Sequence, residues 1–156
     1  MKISSYFIDT SSLFKRYIKE NGTELIDNLF KDASRLIISN LSVVEIISNL
    51  KRLFEIDGII TGKVYESIRN EFFSDISREV LNVEPVLSKD IVKALEIIEQ
   101  KYMTPIDSLQ LSTALYLNGK LDSMIFVCSD KKLCNMAKDM GINVLEVGAT
   151  NGRLLS

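Results

Sequence analysis

Apolar positions along this chain switch repeatedly between a strand-like run and a helical period. Residues 3–8 end in the apolar run Phe7-Ile8 and predict a strand, which stops abruptly at Asp9 and the hydroxyl residues Thr10-Ser11-Ser12. Leu13, Phe14, Tyr17 and Ile18 then recur at helical spacing. Asn21-Gly22 breaks that pattern. Leu25, Ile26, Leu29, Phe30 and Ala33 predict a second helix over 23–33. Arg35–Ser39 reads as a short buried strand. Asn40-Leu41-Ser42 leads into a long stripe of Val43, Ile46, Ile47, Leu50, Leu53 and Phe54, ended by Asp57-Gly58. A further helix over 61–76 carries Val64, Ile68, Phe72 and Phe73. Residues 80–86 alternate and predict a third strand, ending near Pro85.

Ile91, Ala94, Leu95, Ile98 and Tyr102 fit a helix over 88–102. Thr104-Pro105 opens the next one, since proline suits a first helical position, and Asn118-Gly119 predicts its end. Met124–Cys128 is continuously apolar and predicts a central parallel strand buried on both faces. Asp130 follows. Leu133, Met136, Ala137 and Met140 predict an amphipathic helix closed by Gly141, and residues 143–147 a last strand. Strands alternate with helices throughout, without repeat or linker. This predicts one α/β domain over 1–150 and a short tail over 151–156. Its architecture is an α/β/α sandwich, a mostly parallel sheet of about four to five strands flanked by helices. Parallel strands align their C-terminal ends, so Asp9 and Asp130 fall on one sheet edge. In open α/β sheets that is the edge where ligands bind.

Composition narrows the chemistry. The chain has 156 residues, 46% hydrophobic and 26% charged, enough for one domain with a real core. It has no apolar run long enough to span a bilayer. Its first residues lack a signal-peptide apolar region, which predicts a cytoplasmic protein without membrane association. A net charge of −2 argues against nucleic-acid binding by bulk charge but leaves room for a local basic patch. There is no histidine, which removes Ser-His-Asp triads, Cys-His pairs and histidine-based zinc sites. Cys128 and Cys134 do not form a CxxC pair, and a reducing cytoplasm disfavours a disulfide. What remains is chemistry by carboxylates, hydroxyls, amines or an oxygen-held metal.

Four acids stand where such chemistry would need them. Asp9 and Asp130 follow strands. Glu45 in Ser42-Val43-Val44-Glu45 and Asp107 in Thr104-Pro105-Ile106-Asp107 stand at helix starts. Each has an ordinary explanation. The last two match a capping box, and acids in a first turn suit the helix dipole. Asp9 and Asp130 read equally well as simple helix caps. Taken together, four carboxylates at one sheet edge repel one another unless a cation is bound. Hard oxygen ligands select Mg²⁺ or Mn²⁺, and those ions suit phosphate chemistry.

These residues resemble the PIN domain, in particular the VapC-like ribonucleases of toxin–antitoxin pairs. The resemblance rests on Tyr6-Phe7-Ile8-Asp9-Thr10-Ser11-Ser12-Leu13, Ser42-Val43-Val44-Glu45-Ile46, Pro105-Ile106-Asp107-Ser108-Leu109-Gln110-Leu111-Ser112-Thr113-Ala114 and Phe126-Val127-Cys128-Ser129-Asp130-Lys131-Lys132-Leu133. It spans almost the whole chain. It implies a metal-dependent endoribonuclease whose Asp9, Glu45, Asp107 and Asp130 hold Mg²⁺ or Mn²⁺. RNA hydrolysis would leave a 5′-phosphate and a 3′-hydroxyl. Asp9 and Asp107 would be direct ligands, while Glu45 and Asp130 would bind a second ion, act through water or position the nucleophile. The family also implies a homodimer and a small antitoxin partner. Two positions depart from its usual pattern. Gln110 stands where such proteins often carry His, and Cys128 where they often carry Thr or Ser, with Ser129 as the substitute hydroxyl.

Ser11, Gln110, Ser129, Lys131 and Lys132 are expected to support the acids or contact RNA. Lys15, Arg16, Lys51 and Arg52 are further phosphate-contact candidates, although cations on helices are commonly no more than solvated faces. Large apolar groups at Leu53, Phe54, Ile56, Ile59, Ile60, Phe72 and Phe73 suggest a face for a second copy. The rival enzyme reading, a phosphatase with Asp9 as nucleophile, needs a second acid where Ser11 stands. A receiver-type phosphoacceptor lacks its paired acids. The rival outside enzymology is a catalytically inactive PIN-like scaffold that binds RNA or protein.

Overall fold

The computed structural model describes residues 3–32 and 35–148. The chain runs β1 (Ser5–Ile8), α1 (Thr10–Tyr17), α2 (Thr23–Lys31), β2 (Arg35–Ser39), α3 (Asn40–Glu55), α4 (Gly62–Ser77) and β3 (Leu81–Glu84). It continues through α5 (Ser88–Gln100), α6 (Pro105–Lys120), β4 (Met124–Cys128), α7 (Lys131–Asp139) and β5 (Asn143–Glu146). The strands form one five-stranded, wholly parallel sheet in the order β3-β2-β1-β4-β5. The expected tail over 151–156 and Ala33 lie outside the described residues.

Strand periodicity separates two cores. Ile8, Leu36, Ile38 and Val127 face one side and pack on Leu13, Phe14, Ile46, Leu50 and Phe72 from α1, α3 and α4. Phe7, Ile37, Phe126 and Cys128 face the other side and pack on Leu111, Ala114, Leu133 and Ala137 from α6 and α7. Phe7 and Phe126 are register partners whose rings stack at 5.6 Å. The α/β/α sandwich therefore follows from alternate residues of strands that are apolar on both faces.

The chain builds outward from β1 to β2 and β3, then crosses over to β4 and β5. The order reverses between β1 and β4, so their C-terminal ends flank a topological switch point. Ile8 is in register with Val127, and the Asp9 N–H donates to the Val127 carbonyl at 3.0 Å. Asp9 and the Ser129-Asp130 turn are thus fixed side by side by backbone pairing.

Three expectations are corrected. Helix α6 does not stop at Asn118-Gly119 but runs to Lys120, because one glycine lowers helix stability by only about 1 kcal/mol. Helix α5 turns Asp90, Ala94 and Ile97 inward, leaving Ile91 and Leu95 exposed, while Tyr102 lies beyond its end and is exposed too. The Asp90 carboxylate accepts from the Leu87 N–H at 2.8 Å, and its carbonyl accepts from Ser112 at 2.7 Å; these bonds set the roll of the helix. Within the suggested second-copy face, Leu53 and Phe72 belong to the interior, while Ile56, Ile59 and Phe73 are exposed. Beside them lies an open apolar groove of about 610 Å³ along α3, lined by Val43, Val44, Ile47, Lys51 and Ile56 among others. Among the described residues, no helix is long and apolar enough to cross a membrane.

Gly22 caps α2 with φ at +99°, in the left-handed region, and a Cβ there would lie 2.6 Å from Val147 Cγ1. Gly58 has φ at +62° but open space around it. The left-handed conformation alone costs roughly 1–2 kcal/mol for a residue with a Cβ. Urea unfolding should therefore show Gly22→Ala losing more stability than Gly58→Ala, with the second loss close to ~1 kcal/mol. Equal losses would mean that the turn yields and the contact with Val147 carries no weight.

Candidate active site

Asp9 is the N-cap of α1: its Oδ1 accepts from the Ser12 N–H at 2.8 Å. Its Oδ2 receives longer contacts, from the Ser11 hydroxyl at 3.4 Å and the Ser129 N–H at 3.5 Å. The residue is 3% exposed. Burial pushes its carboxyl above the ordinary 3.8, against the opposing pull of the Ser12 and Ser129 hydrogen bonds. Capping explains one oxygen of Asp9 and leaves the other directed elsewhere.

Glu45 does not sit in a capping box. The cap of α3 is Ser39, whose hydroxyl accepts from the Leu41 N–H, so Ser42 and Glu45 lie inside the helix. Glu45 Oε1 accepts from the Thr10 hydroxyl at 2.7 Å. Ser42 is buried, its hydroxyl 2.8 Å from that of Thr10. Burial raises the Glu45 carboxyl; the Thr10 bond lowers it, and the charges of Asp107 and Asp9 raise it further.

Asp107 lies in the first turn of α6, where the Thr104 hydroxyl accepts from its N–H at 3.3 Å. Its carboxyl is raised by burial and by the charge of Asp130, and lowered by Thr104 and Lys132. Asp9, Glu45 and Asp107 line one cavity of about 240 Å³, together with Thr10, Ser11, Asn49, Ile106, Gln110 and Leu133. No cationic side chain is among its lining residues. Asp130 stands apart from this lining. It is exposed, caps α7 by accepting from the Leu133 N–H at 2.9 Å, and reaches the cavity through its field at Asp107.

The supporting residues divide sharply. Gln110 is 2% exposed, and its Nε2 donates to Ser42 Oγ at 3.0 Å and to Thr10 Oγ1 at 3.3 Å. Its Oε1 is buried without a hydrogen-bond partner. Ser129 is buried, its hydroxyl 2.7 Å from that of Ser12 beneath Asp9. Lys131 and Lys132 are exposed, with the Lys132 ammonium 5.3 Å from the Tyr102 ring centroid. Lys15 points inward, fully buried and paired with Glu20 at 2.5 Å, so it is not available to a phosphate. Arg16 pairs with Asp27, Lys51 with Glu55 and Arg52 with Asp57, all away from the cavity lining. Asn49 and Ser42 were not expected to join the site. Their signal is their spacing of four and three residues from Glu45 on one helix face.

The donor set is entirely hard oxygen, which fits Mg²⁺ or Mn²⁺ and no softer metal. Three carboxyls raised by burial in a cavity without a cation, beside an unpartnered carbonyl, are what a divalent ion would relieve. Among the described residues, no three His, Cys, Asp or Glu side chains converge tightly enough to hold an ion as they stand. Asp9 is held by the α1 amide and Glu45 by Thr10 rather than by a shared centre.

A family model for the PIN domain matches residues 6–139. The chain belongs to the PIN domain family. A comparison with curated proteins returned no match. Among solved structures, this PIN domain is similar to FitAcB from Neisseria gonorrhoeae, with a TM-score of 0.68 at 13% identity over 90% of this chain and 96% of that one. It is similar to VapBC2 from Rickettsia felis bound to a promoter DNA fragment, with a TM-score of 0.63 at 15% identity over 92% and 98%. A toxin–antitoxin complex from Klebsiella pneumoniae gives a TM-score of 0.59 at 12% identity over 81% and 88%. At these identities the likeness is one of fold.

Asparagine caps helices as well as aspartate does, so Asp9→Asn removes the charge and keeps the cap. The folded wild type holds the Asp9 proton above the ordinary 3.8. Wild-type stability is therefore lost as pH rises from about 4 through the folded value, and the loss is complete above it. In EDTA at pH 7, Asp9→Asn should unfold at a higher urea concentration than wild type, and the two should converge towards about pH 4. A lower midpoint for Asp9→Asn at pH 7 would show that the Ser12 and Ser129 bonds outweigh burial.

Proposed function

We propose that this PIN domain is a Mg²⁺- or Mn²⁺-dependent endoribonuclease and the toxin of a VapBC-type pair. The observation that carries the reading is the single cavity at the switch point lined by Asp9, Glu45 and Asp107, all three with raised carboxyls. Asp9, Glu45 and Asp107 would hold the ion, and Asp130 would act from the rim on Asp107 or through water. When bound, such an ion supplies charge to the scissile phosphate and makes a nucleophile of water at neutral pH.

The chain's own residues do the rest. Thr10 holds Glu45 in place through its 2.7 Å bond. Ser129 and Ser12 brace the turn on which Asp9 and Asp130 are displayed, and Ser11 touches the outer oxygen of Asp9. Lys131 and Lys132 open α7 directly after Asp130, where exposed ammonium groups meet RNA phosphates despite the acidic overall balance. Hydrolysis breaks the bond from phosphorus to the 3′-oxygen, leaving a 3′-hydroxyl and a 5′-phosphate. Neither histidine nor a free nucleophilic hydroxyl is required.

The partners follow from the likeness to a toxin–antitoxin complex and to VapBC2. We assign this chain a small antitoxin, a cytoplasmic location and a homodimeric state. Exposed Ile56, Ile59 and Phe73 support the last. Light scattering at micromolar concentration should give about twice the 17.6 kDa chain mass; a monomer mass would remove the dimer.

On single-stranded RNA with Mn²⁺, wild type should cleave and EDTA should abolish cleavage. Asp9→Asn, Glu45→Gln and Asp107→Asn should each lose about 100-fold or more, the equivalent of roughly 2.7 kcal/mol of transition-state stabilisation. Asp130→Asn keeps the α7 cap and should lose less, about 10-fold. Wild type and Asp9→Asn equally inactive, with RNA still bound, would leave the scaffold reading in its place.

A further inference from the structure

Gln110 carries the one feature of the cavity that the acids do not explain. Its Nε2 donates to Ser42 Oγ at 3.0 Å and Thr10 Oγ1 at 3.3 Å, while Oε1 is buried with no partner. Counting protons fixes the orientation of this amide. Thr10 donates its single proton to Glu45 Oε1 at 2.7 Å. In the 2.8 Å contact between the Ser42 and Thr10 hydroxyls, Ser42 must then donate. The Ser42 oxygen is left as an acceptor, and only the amide nitrogen can fill it. Turning the amide over would draw the Ser42 proton to the carbonyl and leave two hydroxyl oxygens in contact without a proton between them. The chain of donors therefore runs from Gln110 through Ser42 and Thr10 to Glu45, and it turns Oε1 to the side where no donor among the described residues stands.

A buried carbonyl left unpaired is destabilising, so a group from outside the chain is its natural partner. That partner must be a donor or a cation, because a carbonyl only accepts. The cavity shared with Asp9, Glu45 and Asp107 favours a positively charged occupant. Small hard divalent ions keep several of their waters, and those waters are strong hydrogen-bond donors. Three carboxylates already exceed the charge of such an ion. A further neutral oxygen adds an acceptor without adding to their repulsion.

We propose that Gln110 is a cation-positioning residue: its carbonyl accepts from the water shell of the divalent ion, while its amide nitrogen, through Ser42 and Thr10, keeps Glu45 aimed at the same ion. The inference rests on the metal-dependent reading given above. It assigns one side chain two opposite tasks, as acceptor towards the ion and as donor towards a ligand of the ion. Isosteric loss of the amide removes both at once. A carboxylate in its place restores an acceptor and withdraws the donor.

The test is Mn²⁺ binding to the full chain without RNA, read by titration calorimetry and by the Mn²⁺-induced rise in melting temperature. Gln110→Met should bind Mn²⁺ roughly 10–100-fold more weakly than wild type, as losses of outer-shell partners do. Gln110→Glu should melt lower than wild type in EDTA, because it buries a fourth carboxylate, and should gain a larger rise on adding Mn²⁺. This second variant decides the matter if Gln110→Met does not fold. Unchanged Mn²⁺ affinity in Gln110→Met, or a Gln110→Glu that only melts lower with the wild-type rise, would reduce Gln110 to a packing residue and overturn the inference. Wild type that takes up no Mn²⁺ would overturn the metal-dependent reading itself, and this inference with it.

Discussion

The backbone pairing of β1 with β4 is the constraint on which the site depends. Ile8 lies in register with Val127, and the Asp9 amide closes the ladder on the Val127 carbonyl. A shift of β4 by one residue would send Phe126 to the side of Ile8 and Val127 to the side of Phe7. It would also withdraw Asp9 from the Ser129-Asp130 turn. Apolar packing on both faces therefore holds the register, and the register holds the first and last acids of the site at the switch point. The remaining two arrive on helices from opposite layers, Glu45 on α3 and Asp107 on α6.

Helices from two layers meet above the sheet edge only because buried polar groups bridge them. Gln110 from α6 reaches Ser42 on α3 and Thr10 on α1, and Thr10 reaches Glu45. Each bond replaces hydration that burial has removed, so together they offset part of the desolvation of the carboxylates. The same network fixes positions. Buried polar groups that are satisfied in one arrangement only are poorly tolerant of sliding. The one unsatisfied member, Gln110 Oε1, then marks where that arrangement is incomplete in the chain alone.

Much of this was legible before the fold was known. Arg35–Ser39 and Met124–Cys128 are strands with the ends that their apolar runs imply. Asp9 and Asp130 do cap helices, as the plain reading had it, and Asp9 still lines the cavity with its second oxygen directed away from the cap. Other features were hidden for definite reasons. Ser39, Asn40 and Ser42 are all good caps, so spacing could not show that Ser39 begins α3 and Ser42 lies buried inside it. In α5 two overlapping stripes are apolar, and the choice between them fell to bonds at Asp90 that no periodicity reveals. Lys15 looked like a surface cation, and its burial against Glu20 depends on the close approach of the Gly22 turn.

Gathering carboxyls into a buried cavity has an electrostatic cost. Acids spread over a surface would keep their hydration and avoid it. Asp9, Glu45 and Asp107 carry that cost, and loss of water rather than mutual repulsion is the largest cause of each shift. Asp9 is anchored to the Ser12 amide and Glu45 to the Thr10 hydroxyl. Separate anchoring of Asp9 and Glu45 explains why the three acids share a cavity without converging on a point.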